Sequence, residues 1–194
     1  MAYLTDVEIF NLLKKGEFKI EPFEPKLVRT IYIDLRLGNK FTTLMNAGTT
    51  YIDPAAGQQE EFVTRQKFSS VEISDGGSYV IAPGEYVLGI TLEKVTVPKQ
   101  YFGTLFGRGS LGRLGLQVLC SGGFVDPGFS GNMTLEIFNA SKVPIILRAG
   151  MPVAKLAVEA LGGVPTALQP LNLMSFDKEA VDVETAKKFV DEAL

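Results

Sequence analysis

Histidine is absent from the 194 residues, and cysteine occurs once, as Cys120. Without histidine and with a single thiol, a zinc site of the His/Cys/Cys or Cys₃ kind cannot be assembled. Ser-His-Asp and Cys-His relays are excluded on the same ground. One cysteine rules out a disulfide within the chain and fits a reducing compartment. No run approaches the roughly 18 consecutive apolar residues of a membrane span, so no membrane partner is expected. The opening MAYLTDVEIF has neither a basic region nor a long apolar run, which sets no signal peptide and a cytoplasmic location as the expectation. A net charge of −3 lacks the surplus of Lys and Arg that a nucleic-acid surface carries. Proton transfer in any reaction must therefore fall to Glu, Asp, Lys, Tyr or a positioned water.

What is present describes a globular chain with one core. Hydrophobic residues make up 46% and the mean hydropathy is +0.17, well outside the disordered range. A single domain over 1–194 is expected, in three parts: an N-terminal helix within 1–16, a β core over 26–160, and a tail over 161–194. Thr5 and Glu8 read as a capping box before Val7, Phe10 and Leu13 at helical spacing, with Gly16 as the stop. Short β-type runs follow at 29–37, 40–43, 61–64, 78–81, 86–92, 103–106, 116–119, 132–138, 145–147 and 153–158, punctuated by Gly and Pro turns. Many short strands and little helix imply a mainly β sandwich, jelly roll or distorted barrel. Residues 49–60 read as a surface excursion, and 177–194 as a charged surface helix or a frayed tail.

The densest chemistry lies between Phe106 and Asn139, where eight glycines surround Arg108, Arg113, Ser110, Asp126 and Glu136. Strand period places Met133, Leu135 and Ile137 on one face and Thr134, Glu136 and Phe138 on the other. A carboxylate in so apolar a run is expected to be partly buried, and burial raises a carboxyl pKa toward the value a general acid/base needs. The competing reading of Glu136 is an ion pair with an arginine such as Arg113. Arg108 and Arg113 flank a Gly-Ser turn and suggest phosphate binding, with Ser110 as a further donor. Either arginine alone reads equally as a salt-bridging residue, and the P-loop spacing is missing. Asp126 before Pro-Gly reads as a turn residue, or as a carboxylate for a sugar hydroxyl or a water. Cys120 reads as a buried thiol, and the 86–92 strand as architecture.

Five motifs taken together, in this order, resemble the dCTP deaminases of the dUTPase-like trimeric superfamily. They are Ile33-Asp-Leu-Arg-Leu-Gly38, Pro83-Gly-Glu-Tyr-Val-Leu-Gly89, Gly107-Arg-Gly-Ser-Leu-Gly-Arg-Leu-Gly-Leu116, Phe124-Val-Asp-Pro-Gly-Phe-Ser-Gly131 with Thr134-Leu-Glu136, and Leu147-Arg-Ala-Gly-Met-Pro152. The resemblance covers about residues 5–160. It implies a dUTPase-like distorted jelly roll or β-barrel and a homotrimer with active sites between subunits. It also implies zinc-free hydrolytic deamination of dCTP to dUTP and ammonia, with Mg²⁺ riding on the triphosphate and no metal site on the protein. Glu136 would then move protons for the water attacking C4, and Arg113 would position both. Substrate binding would fall to Arg108, Gly109, Ser110, Leu111, Gly122, Asp126, Thr134 and Leu135. The alternatives are a weakened nucleotide-binding or structural trimer, or a dUTPase or bifunctional deaminase–diphosphatase in which Asp126 orients water at phosphorus.

The chain departs from the family pattern in three places. The family turn reads Gly-Arg-Ser-Ser-Leu-Ala-Arg, so Gly109 stands for a serine and Gly112 for the alanine. Gly122 stands where alanine is common. A C-terminal lid carrying Tyr, Lys and Gln is not recognisable in 160–194, nor is the glycine-rich closing motif of the dUTPases.

Overall fold

Thr5 caps the first helix, α1 (Asp6–Lys15), and donates from its main-chain N at 2.8 Å and its Oγ1 at 2.9 Å to Glu8 Oε2. The capping box therefore forms, and those bonds, the main-chain one first, hold the Glu8 carboxyl below the usual carboxylate range. Gly16 closes the helix with φ of 71°. The buried face differs from the expected one: Ile9 and Leu12 enter the core, whereas Val7 and Phe10 are exposed. Apolar residues stand on both sides of this helix, so spacing alone could not choose between them. The rotation is set by tertiary bonds at its start, Leu4 N to Val158 O at 2.8 Å and Asp6 N to Thr30 O at 2.9 Å.

The computed structural model describes residues 2–44, 68–74, 76–119 and 123–163. The strand read at 61–64, the excursion at 49–60, the 177–194 helix, Cys120 and Gly122 all lie outside the described residues. Eleven strands are present among them: β1 (Lys19–Glu21), β2 (Ile33–Leu44), β3 (Phe68–Glu72), β4 (Ser78–Ile81), β5 (Tyr86–Thr96), β6 (Tyr101–Gly107), β7 (Leu116–Leu119), β8 (Phe124–Val125), β9 (Ser130–Asn139), β10 (Ile145–Arg148) and β11 (Pro152–Ala160). One helical turn, α2 (Gly109–Gly112), separates β6 from β7.

Nine strands make one antiparallel sheet in the order β7-β9-β5-β2-β11-β6-β8, with β1 on β5 and β3 on β2. β4 and β10, far apart in sequence, form a separate two-stranded antiparallel sheet. The long sheet curls until its two ends meet. A Cβ on Gly107 of β6 would stand 2.8 Å from the Val118 carbonyl of β7, so only glycine permits that approach. Leu105 N of β6 donates to Gly123 O at 2.8 Å beside the same seam. Inside the curl lie Leu35, Leu37, Phe41, Val87, Leu135, Ile137 and Leu156, all at or near zero exposure. This is the mainly β, distorted jelly-roll barrel expected from the sequence.

The boundaries shifted where the ladder is irregular. The runs read at 29–37 and 40–43 are one strand, β2, whose register against β5 slips between Leu37 and Phe41. The run read as ending at residue 92 continues to Thr96, across a second slip between Ile90 and Lys94. Buried Glu93 holds this stretch, accepting from Arg36 Nε at 2.6 Å and Arg36 N at 2.8 Å. Buried Thr91 does the same on the other side, its Oγ1 accepting from Met133 N at 2.8 Å.

Candidate active site

β9 carries the alternation that its sequence dictates. Met133, Leu135 and Ile137 fill the core, and Thr134, Glu136 and Phe138 stand half-buried on the outer face. Leu135 therefore offers a ligand only its main chain, because its side chain is fully enclosed. Glu136 is registered with Leu88 of β5 and Leu119 of β7, which flank it on either side. Tyr86 lies diagonally across on β5, opposite Phe138, and is 45% exposed. Burial, and then the charge of Glu136, push the Tyr86 hydroxyl above its ordinary value. The 86–92 run is thus more than architecture, since it walls one side of Glu136.

Beside Glu136 the same outer face opens into a cleft of about 280 Å³. Thr134, Leu88, Gly89 and Ile90 form its floor, and Lys40, Thr42, Ser70 and Glu72 its far wall. Thr42 and Ser70 share a hydrogen bond of 3.1 Å, and Asn39 Nδ2 donates to Glu72 Oε1 at 3.0 Å. The lining mixes apolar floor with hydroxyls and one charge of each sign, which suits a sugar or a base edge.

The glycine-rich turn stands elsewhere on the barrel. Arg108 precedes α2, and Leu111 anchors that short turn by packing against the core. Gly109, Ser110 and Arg113 are exposed. The Arg108 Nη1 donates to Asp34 Oδ1, and Arg29 Nε donates to Asp34 Oδ2 at 3.0 Å. Asp34 is 2% exposed, so this carboxylate is buried between two arginines. Asp126 opens a turn in which Phe129 N donates to its carbonyl at 3.0 Å and Gly128 takes φ of 83°. Those bonds are the turn reading of Asp126, and its side chain is left exposed for other partners.

Register decides which of these residues share a site within one chain. Leu116 pairs with Asn139 and Leu119 with Glu136, so β7, traced back from Glu136, leads toward α2. Leu116 therefore lies about 10 Å along the ladder from Glu136, and Arg113 precedes it. Gly115 confirms the direction, its carbonyl accepting from Ala140 N at 2.9 Å. The main chain thus places Arg113 beyond the end of the ladder that carries Glu136. Asp34, Arg29 and Glu93 escaped the sequence reading, although Asp34 and Glu93 show the signal that singled out Glu136, a carboxylate inside an apolar strand.

The sequence and the fold have counterparts. A family model described as dCTP deaminase-like matches residues 3–161. A Corynebacterium efficiens protein named "dCTP deaminase, dUMP-forming" is 43% identical over 155 residues, 80% of this chain and 77% of its own. One of the same name from Corynebacterium diphtheriae is 44% identical over 154 residues, 79% of each chain. Among solved structures, the 2'-deoxycytidine 5'-triphosphate deaminase from Agrobacterium tumefaciens superposes with a TM-score of 0.61 over 81% of this chain, at 21% identity. This chain spans 48% of the length of that one, and the likeness bears on the fold. A curled barrel with a carboxylate facing outward from β9, a Gly-rich turn after β6, and a family match spanning nearly all the described residues lead to one assignment: the chain belongs to the dCTP deaminase-like family of enzymes.

Proposed function

We propose that the protein deaminates dCTP by hydrolysis and also cleaves the nucleotide between its α- and β-phosphates, releasing dUMP, ammonia and pyrophosphate. Two waters are consumed, one at C4 of the cytosine and one at the α-phosphorus. The observation that carries the deamination is the half-buried Glu136 facing outward from β9 between the core residues Leu135 and Ile137, next to a cleft of nucleoside-fitting character. Its carboxylate takes a proton from the water that attacks C4 and returns it to the departing amine. With no histidine in the chain, a carboxylate is the fitting group for that work.

The second cleavage is supported by the relatives' names, which give dUMP as the product, so the dUTP expected from the sequence gives way to dUMP. Asp126, exposed on its turn, is the carboxylate for orienting the second water. Arg108 and Ser110 serve the phosphates. Mg²⁺ would be held by phosphate oxygens and water. Among the described residues no cluster of three Asp, Glu, His or Cys side chains could cage a metal, and a hard cation on a triphosphate needs none. The register of β7 on β9 supports a homotrimer, since the Arg113 that positions Glu136 would then come from a neighbouring copy.

Incubation with dCTP and Mg²⁺, with nucleotides and pyrophosphate resolved by chromatography, tests the proposal. dUMP and pyrophosphate are expected in equal amounts, Glu136→Gln is expected to abolish deamination, and Asp126→Asn to leave dUTP as the product. A Glu136→Gln rate equal to wild type would sink the deaminase reading. A second reading, nucleotide binding without turnover, is favoured by Gly109, which lacks the family's hydroxyl. Calorimetric binding of dCTP with no product would establish it.

A further inference from the structure

The Asp34 cluster on the outer face of β2, β11 and β6 is richer in positive charge than the family motifs require. Asp34 is registered with Lys155 of β11, and Lys155 in turn with Phe106 of β6, two residues before Arg108. Registered neighbours in a sheet stand about 5 Å apart, so Lys155 stands beside Asp34 on β11, and Arg108, just past the end of β6, reaches the carboxylate itself. Arg29 reaches it from the turn before β2, bonded at 3.0 Å and 52% exposed. The Lys155 ammonium sits 4.4 Å from the centre of the Tyr32 ring, which fixes its position without neutralising it. Two guanidiniums thus share one carboxylate, and a third cation, Lys155, stands on the neighbouring strand in register with it, in a chain whose net charge is −3. The next carboxylate on that face of β11, Glu159, is registered with Phe102, about 13 Å along the strand.

We propose that Arg29 and Lys155 complete, with Arg108, the site that binds the triphosphate of the nucleotide, and that Asp34 is the buried positioning residue that aims both arginines. The inference rests on the nucleotide-hydrolase reading above and names two binding residues which that reading did not contain. A buried carboxylate shared by two guanidiniums holds each by one edge and leaves their remaining N–H groups for an anion. Lys155 adds a point charge beside them.

The test uses the full chain and three variants, Arg29→Gln, Lys155→Met and the double. Each single change is expected to raise KM for dCTP about tenfold with kcat nearly unchanged, the factor that one charge-assisted hydrogen bond to phosphate is worth. Calorimetry with inorganic tripolyphosphate is expected to give the same loss of affinity, whereas affinity for deoxycytidine is unaltered. Wild-type turnover of dCTP with unchanged KM and tripolyphosphate affinity in the variants overturns the inference and leaves the enzyme reading intact. Variant-sensitive tripolyphosphate binding by a wild-type protein that does not turn over dCTP keeps the site and removes that reading. Changed oligomer mass in light scattering, with tripolyphosphate affinity unmoved, assigns the cluster to subunit contact and also overturns it.

Discussion

Glu136 and Tyr86 share one patch of outer sheet, and each reports on the other. The phenol is raised above its ordinary value by burial and then by the neighbouring carboxylate charge. Raising a tyrosine pKa in the folded state contributes stability that is fully present below the unfolded value of about 10 and is lost as pH rises through the folded value. Glu136→Gln removes the charge and retains the shape. The part of the tyrosinate absorbance titration that belongs to Tyr86 is therefore expected to move to lower pH in this variant, and the wild-type minus variant difference to vanish in Tyr86→Phe. An unmoved titration would mean that Glu136 carries no charge near Tyr86 at alkaline pH, and would remove the general base from this position. The same pair explains why the outward placement of Glu136 was legible in the sequence and its nearness to Tyr86 was not. Period-2 alternation locates a carboxylate on its own strand, but the diagonal neighbour is fixed by the register between β5 and β9, which alternation does not encode.

Elements separate in the same way. β9, with its alternating residues, and β11, with its longer apolar run, were readable from the sequence alone. β1 and β8, of three and two residues, are too short to show a period and exist because neighbouring strands offer unpaired edges. α2 is the element where the departure from the family turn is concentrated, and its geometry gives that departure a physical form. A Cβ at Gly109 or at Gly112 meets nothing within 4 Å, and neither residue takes a positive φ. Glycine is thus not required at either position, and its cost is the backbone freedom it gives the unfolded chain. Gly112→Ala is expected to stabilise the fold by about 0.5–1 kcal/mol in urea denaturation and to leave kcat/KM for dCTP unchanged. Gly109→Ser is expected to leave stability near wild type or slightly above it, and to raise kcat/KM by restoring a hydroxyl beside Arg108. Equal effects of the two changes on kcat/KM would show that loop rigidity, rather than the hydroxyl, limits the turn.

At the scale of the whole molecule, a single barrel holds the residues proposed for the chemistry at two separated places. Glu136 faces out from the middle of β9, while Arg113 sits past the far end of the β7–β9 ladder, beyond Leu116 and Asn139. Only 23 positions separate the two in the sequence, yet the antiparallel register sets their main chains at opposite ends of the β7–β9 ladder. In the proposed cyclic oligomer each copy would lend Arg113 to one neighbour and receive the same group from the other. The consequence is complementation. Arg113→Ala and Glu136→Gln proteins, each inactive alone, are expected to regain deamination when unfolded together and refolded as a mixture. A site is whole when the copy supplying the carboxylate is an Arg113→Ala chain and the copy supplying the guanidinium is a Glu136→Gln chain. For random assembly of equal amounts in a cyclic oligomer, that is about one site in four, so about a quarter of wild-type activity should return. Sites contained within one chain would return none, whatever the mixing ratio, since every chain would carry one of the two lesions.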